Sequence, residues 1–163
     1  ESGFFFSGTC NGHEKEGQPA GDEAGESLPD GRFVAYDNGT VLDRQTDLMW
    51  AAKDNGSNIN WADAKSYCEN YRGGGYADWR MPTQEELAGL YDAGKSQYQE
   101  CYPAYRIHVA TDLIHLTCCC PWASETLEAR MHAVSFNFEN GSPLMGPQSS
   151  EKDKRALPVR LGE

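Results

Sequence analysis

The chain has 163 residues, 39% of them hydrophobic, which suits one compact domain with some extra length rather than two domains. A net charge of −11 excludes nonspecific binding to nucleic acid, because a polyanion is repelled at long range. No run of about 18 apolar residues occurs, which excludes a membrane-spanning helix.

Residues 1–31 read as an acidic, Gly-rich N-terminal arm, with seven acids against one base and few large apolar side chains to offset the entropy of ordering. Phe4, Phe5 and Phe6 are its natural anchor, either on the chain's own surface or on a neighbouring copy. This apolar cluster is too short for the core of a signal peptide, so a secreted form is expected to have lost its leader already. Residues 32–163 form the globular domain.

The domain opens in a β pattern: residues 33–36, a turn at Asp37-Asn38-Gly39, then residues 40–43 and, after a second turn, residues 48–50. Asn60 is placed as an N-cap with Asp63 three residues on, and Trp61, Ala64, Cys68 and Tyr71 recur at helical spacing. This predicts an amphipathic helix over about 61–72, ended by Gly73-Gly74-Gly75. A second helix opens on the Thr83-x-x-Glu86 capping box, preceded by Pro82, and is expected to bury Leu87, Leu90 and Tyr91 before stopping at Gly94. Val134, Phe136 and Phe138 alternate with smaller or polar residues and predict a strand near 132–139. A last strand is expected over 155–161, confined by Pro158 to an edge or a bulge. The sequons at Asn38, Asn55 and Asn140 read first as turns and only second as glycan acceptors.

Six cysteines, Cys10, Cys68, Cys101, Cys118, Cys119 and Cys120, fit disulfides in an oxidising compartment. None forms C-x-x-C, which disfavours a zinc ribbon. Neighbouring side chains point in different directions, so the triplet is expected to supply the ends of three separate disulfides, to Cys10, Cys68 and Cys101. The rival readings are a metal centre built on His115-x-x-Cys118 with His108 and His132, and a catalytic thiol.

The stretches "GTVLDRQTDLMW", "NWADAKSYCENYRGGGYADWRMPTQEEL", "PWASET", "AVSFNFENG" and "LPVRLGE" occur in an order that resembles the DUF1566 family, which includes the C-terminal domain of the Legionella collagen-like adhesin. The resemblance covers about residues 32–163. It implies an α+β, C-type-lectin-like fold: two helices packed on a small twisted antiparallel sheet, with the terminal strands close together and long disulfide-stapled loops. It also implies an extracellular or bacterial-surface setting, self-association and binding of sulfated polysaccharide. Pro158 stands where the family often has a cysteine, so the usual partner of Cys68 is missing. Cys68 then pairs elsewhere or stays a thiol.

Arg80 is expected to serve architecture, pairing with Asp78 or Glu86, within a motif that also includes Pro82, Thr83 and Glu86. Trp50, Trp61, Trp79 and Trp122 read as core, with sugar stacking as the alternative. Lys152, Lys154, Arg155 and Arg160 are the candidate contacts to an anionic ligand, although Glu151 and Asp153 interleave with them. No catalytic triad, nucleophile elbow, P-loop or H-E-x-x-H motif is present, and neither are the calcium-lectin signatures E-P-N, Q-P-D and W-N-D. The expectation is therefore a secreted or cell-surface, non-catalytic binding module without cofactor. Its recognition face is placed on the loops at about 95–125 and 141–155, and its partner is an extracellular glycan or protein. Two alternatives are a subunit of an extracellular filament linked through the Phe-rich arm, and a cysteine-dependent redox or metal enzyme.

Overall fold

The computed structural model describes residues 31–162; the expectations for Phe4, Phe5, Phe6 and Cys10 lie outside these residues. The first sheet is antiparallel. β1 (Phe33–Ala35) and β2 (Thr40–Asp43) are joined through Asn38-Gly39, with Gly39 at φ 83°, a value that favours glycine. β3 (Leu48–Ala51) is buried along its whole length and pairs with β2. Arg32 closes the open end of the β1–β2 hairpin, donating to both oxygens of buried Asp43 at 2.9 Å.

Helix α1 (Trp61–Asn70) starts where expected, with the Asn60 side chain accepting the Asp63 N–H at 2.9 Å. It ends two residues earlier than its sequence period predicts. Tyr71 turns to an extended backbone and sets its ring edge-on to Trp79 at 4.9 Å. Residues 73–75 then form a tight turn, and a Cβ on Gly73 would run into the Tyr71 ring.

Helix α2 (Gln84–Ala88) carries the expected capping box: the Thr83 hydroxyl accepts the Glu86 N–H at 3.1 Å and Glu86 accepts the Thr83 N–H at 2.9 Å. It stops at Gly89 rather than Gly94. The backbone beyond pairs with another segment instead of continuing the helix: Leu90 C=O accepts from Ala110 at 2.7 Å, and Asp92 N–H donates to His108 at 3.1 Å.

Two short strands, β4 (Gln97–Tyr98) and β5 (Arg106–Ile107), form a separate ribbon. β6 (Cys120–Leu127), β7 (His132–Asn137), β8 (Ser142–Pro147) and β9 (Lys154–Arg155) form a second four-stranded sheet in the order β8-β7-β6-β9. The β6–β9 pair is parallel. β10 (Val159–Leu161) returns to the first sheet, whose order is β1-β2-β3-β10. The expected last strand is thus split between two sheets. Pro158 has no N–H to give and sits at the division, its carbonyl accepting the Ala51 N–H at 3.0 Å.

The class is α+β, with few helices and mostly antiparallel sheets. Among the described residues, the single small sheet of the sequence reading is corrected to two four-stranded sheets, one of them mixed, plus a ribbon. One core joins Val41 and Trp50 of the first sheet, Leu87 and Leu90 near α2, and Phe136 and Phe138 at the second sheet. A smaller cluster beneath α1 holds Ala64, Cys68, Met81 and Trp122. Most of the segment from Ile107 to Ala123 is buried, so the expected recognition loop at 95–125 is corrected: its second half is core. All three sequons fall at turns, as Gly39, Gly56 and Gly141 at positive φ mark.

Burial alone would raise the Glu86 carboxyl, but hydrogen bonds from Arg80 and Thr83 outweigh it and hold the pKa below the ordinary value. A depressed carboxylate stabilises the fold above its unfolded pKa of about 4.3 and loses that contribution as pH falls through the folded value. Thr83→Ala is expected to cost about 1 kcal/mol. Glu86→Gln is expected to cost about 1–2 kcal/mol at neutral pH, discounted for the partial exposure of Arg80. Urea titration checks both, and the Glu86→Gln deficit should shrink in acid.

Candidate functional site

The disulfide pattern decides what the cysteines can do. Cys101 is bonded to Cys118, and Cys119 to Cys120. The expectation that the triplet serves three separate partners is corrected, because two adjacent members close on each other. Cys68 is a buried free thiol, pushed up to about 12 by burial and by the neighbouring Glu69. At neutral pH it stays protonated and is a poor nucleophile. The sulfurs of Cys101 and Cys118 and a carboxylate oxygen of Asp153 lie within 4.8 Å of one another. Both sulfurs are engaged in the disulfide, however, and His108, His115 and His132 take no part in this group.

The expected anionic-ligand contacts do not gather on a face. Arg155 is buried and donates to Thr117 at 2.7 Å and Asn58 at 2.9 Å, with Asp54 at 4.0 Å. Burial raises the Asp54 carboxyl against opposing hydrogen bonds from Thr117 and Gly56. Arg160 is buried, lies 3.7 Å above the Tyr76 ring and donates to Asp78 at 2.6 and 3.2 Å. Lys154 donates to Ser135 at 2.8 Å and faces the Trp122 ring at 5.3 Å; burial lowers its pKa. Of the four, Lys152 alone is exposed, so the anion-binding cluster is corrected to three structural cations and one surface lysine.

Arg80 pairs with Glu86 through two bonds of 2.7 and 2.8 Å, whereas Asp78 pairs with Arg160. Trp50, Trp79 and Trp122 are core, at 0%, 3% and 0% exposure. Trp61 is half-buried, its indole N–H fixed on the Ala123 carbonyl at 2.9 Å. It lines an open cavity of about 440 Å³ together with Met81 and the Lys65–Glu69 ion pair. Arg80, Thr83, Ser124 and Thr126 complete the lining.

A second surface lies in the first half of the expected 95–125 recognition loop, on residues that the sequence reading did not single out. The β4–β5 ribbon displays Tyr98 at 63% and Tyr105 at 61% exposure. Arg106 stacks on Tyr98 at 3.7 Å and donates to its hydroxyl at 2.7 Å. Tyr102 packs edge-on to Tyr105 and donates to Asp153 at 3.1 Å. The connection between the strands is fixed from below. Gln99 is buried and donates to Tyr105 C=O at 3.2 Å and Glu139 at 2.6 Å, Glu100 N–H donates to Thr117 at 2.9 Å, and Cys101 is covalently tied to Cys118. The signal available in sequence was three tyrosines spaced through a polar segment around one cysteine.

The model of the Lcl C-terminal domain matches residues 39–160, from the β1–β2 turn to β10. The chain belongs to the Lcl C-terminal domain family. No curated protein matches the chain. The Lcl match takes in the Arg80 corner, the Trp61 cavity and the tyrosine ribbon, and leaves out β1. Among the described residues, no helix is long and apolar enough to cross a membrane.

The sequence separation of 17 between Cys101 and Cys118 gives their bond a loop-closure contribution of about 3 kcal/mol, which Cys101→Ser with Cys118→Ser should remove. Hydrogen exchange over residues 97–107 should speed up in that variant. Alkylation mapped by mass spectrometry should find Cys68 unmodified in the native protein at mildly alkaline pH. It should be modified after unfolding without reductant, while Cys101, Cys118, Cys119 and Cys120 remain protected.

Proposed function

We propose that this chain is a secreted or bacterial-surface binding module of adhesion type, without catalytic activity, that recognises an extracellular protein or glycan. The observation that carries the reading is the tyrosine ribbon. Tyr98, Tyr105 and Arg106 are residue types that dominate binding energy at interfaces, since they offer large contact area for little lost side-chain freedom. Here they sit on a connection held by a disulfide and a buried glutamine, so little further ordering is needed on binding. Membership of the Lcl C-terminal domain family and the two disulfides support a surface setting. The protonated, buried Cys68 supports the non-catalytic side of the proposal. We also read the arrangement as C-type-lectin-like, supported by the first and last strands sharing one sheet and by two short helices beside a long stapled segment.

A second reading, self-assembly into an extracellular fibre, is favoured by β8. This strand is the edge of its sheet among the described residues and carries exposed Leu144 and Met145. Size-exclusion chromatography with light scattering separates the readings: Leu144→Lys with Met145→Lys on the exposed edge strand leaves a binding module's oligomeric state unchanged and breaks a β8-linked fibre into smaller species, while loss of residues 1–31 does the same to an arm-linked one.

Labelled protein applied to arrays of extracellular-matrix proteins and glycans is expected to bind a defined subset. Tyr98→Ala with Tyr105→Ala should weaken that binding about tenfold or more while leaving the melting temperature nearly unchanged, because both rings are exposed. Silence across the arrays, or binding indifferent to the two substitutions, would count against the ribbon as the recognition surface.

A further inference from the structure

The cavity beside α1 shares no lining residue with the tyrosine ribbon, and its chemistry is of a different kind. At about 440 Å³ it falls within the size range of small-molecule sites. Its apolar lining comes from Trp61 and Met81. Its polar lining comes from three hydroxyls, the Lys65–Glu69 ion pair and Arg80.

The charges in this lining are already balanced within the chain. Lys65 is paired with Glu69 one helical turn along α1, and Arg80 holds both oxygens of Glu86. Each cation already faces a carboxylate, so an anionic ligand gains little net attraction here, in a protein of net charge −11. A cationic ligand meets Lys65 and Arg80 beside each carboxylate and gains as little. The lining therefore favours an uncharged molecule with an apolar face and several hydroxyls.

Hydrogen-bonding capacity remains for such a molecule. Thr126 Oγ1 donates to Glu128 at 2.9 Å and keeps lone pairs to accept. Ser124 is exposed, and the Lys65 and Glu69 side chains are 49% and 51% exposed, so donors and acceptors are within reach of a ligand. The indole is pre-positioned, with Trp61 bonding through its side chain to Ala123 and through its backbone N–H to Gln148 at 3.0 Å.

We propose that this cavity is a binding site for a neutral pyranose sugar, whose C–H face packs on Trp61 and whose hydroxyls bond to Ser124, Thr126 and the Lys65–Glu69 pair. The site goes beyond the module's ribbon-mediated recognition and uses none of its residues, so either can fail while the other stands.

The test is an NMR titration of the whole protein with the methyl glycosides of glucose, galactose, mannose and N-acetylglucosamine, beside methyl glucuronide and glucose 6-sulfate as charged counterparts. At least one neutral glycoside is expected to shift the Trp61 indole N–H signal saturably, with an affinity that does not change between low and high salt. Trp61→Ala should weaken that binding about tenfold. Ser124→Ala, at an exposed position that should fold normally, should weaken it about threefold, and the Tyr98→Ala, Tyr105→Ala variant should bind the sugar as the unsubstituted chain does. The proposal is overturned if no neutral glycoside moves the Trp61 signal, if Ser124→Ala binds unchanged, or if the charged counterparts bind more tightly with an affinity that falls as salt rises.

Discussion

Two backbone hydrogen bonds between Arg80 and Val159, at 2.9 and 3.0 Å, hold the architecture in register. Val159 belongs to β10, which lies against β3, so this short antiparallel bridge fixes the approach to α2 relative to the first sheet. The same few residues reach the second sheet. The Pro82 carbonyl accepts the Ser124 N–H at 2.9 Å, and the Glu125 carboxylate accepts the Gln84 N–H at 2.9 Å, satisfying a helix-start donor that the capping box leaves over. Side chains reinforce the bend on both flanks, with Asp78 held by Arg160 before it and Glu86 by Arg80 after it. The Arg160 guanidinium lowers the Asp78 carboxyl mainly through its hydrogen bond, so the pair stays ionised at neutral pH. The cavity follows from this construction. Its residues come from the bend, from β6 just beyond the shared hydrogen bonds, and from the exposed side of α1 laid across them.

Away from the bend, much of the chain from 89 to 119 has little regular structure and is held by other means. The disulfide between Cys101 and Cys118, the buried Asp54–Thr117–Arg155 network and the pairing of Leu90 and Asp92 with Ala110 and His108 replace helix and sheet ladders there. A segment fixed in this way can leave one end exposed without losing its shape. That is the state of the 97–106 ribbon, whose tyrosines stand out while Gln99 beneath them is buried.

The bend was legible in the sequence because its signals are local: a capping box, a preceding proline and an apolar helix face all lie within a few residues. The first three strands and the 132–137 strand were legible for the same reason, through turn residues and alternation. The helix ends were missed because they are set by distant partners. Tyr71 leaves α1 to meet Trp79 with no mark in the local pattern, and Leu90 leaves α2 to bond Ala110 just after Gly89, a stop signal that could not be ranked against Gly94 from sequence. The Cys119–Cys120 bond was missed because a rule about side-chain direction was applied to a backbone that did not obey it. The ribbon falls within the expected 95–125 loop, but its tyrosines were not singled out because exposed aromatics in an aperiodic stretch carry no periodic signal. Trp61 could not be told from Trp50, Trp79 and Trp122 because all four sit beside apolar neighbours, and burial alone distinguishes them.

The distribution of positive charge limits how this surface can recognise anything. Arg32, Arg80 and Arg160 each hold a carboxylate with two hydrogen bonds, Arg155 faces Asp54 within the core, and Arg72 turns back onto the carbonyls of Glu69 and Tyr71. Guanidinium groups placed in this way tie loops to sheets, and their fields are largely neutralised before they reach solvent. On a chain of net charge −11, long-range attraction of a polyanion is then unavailable, and discrimination falls to contacts that act only at short range. Stacking on tyrosine and tryptophan and hydrogen bonding to hydroxyls are contacts of that kind. They are what the cavity offers and what the ribbon offers beside Arg106, so binding at the cavity is expected to depend on fit and to respond little to ionic strength.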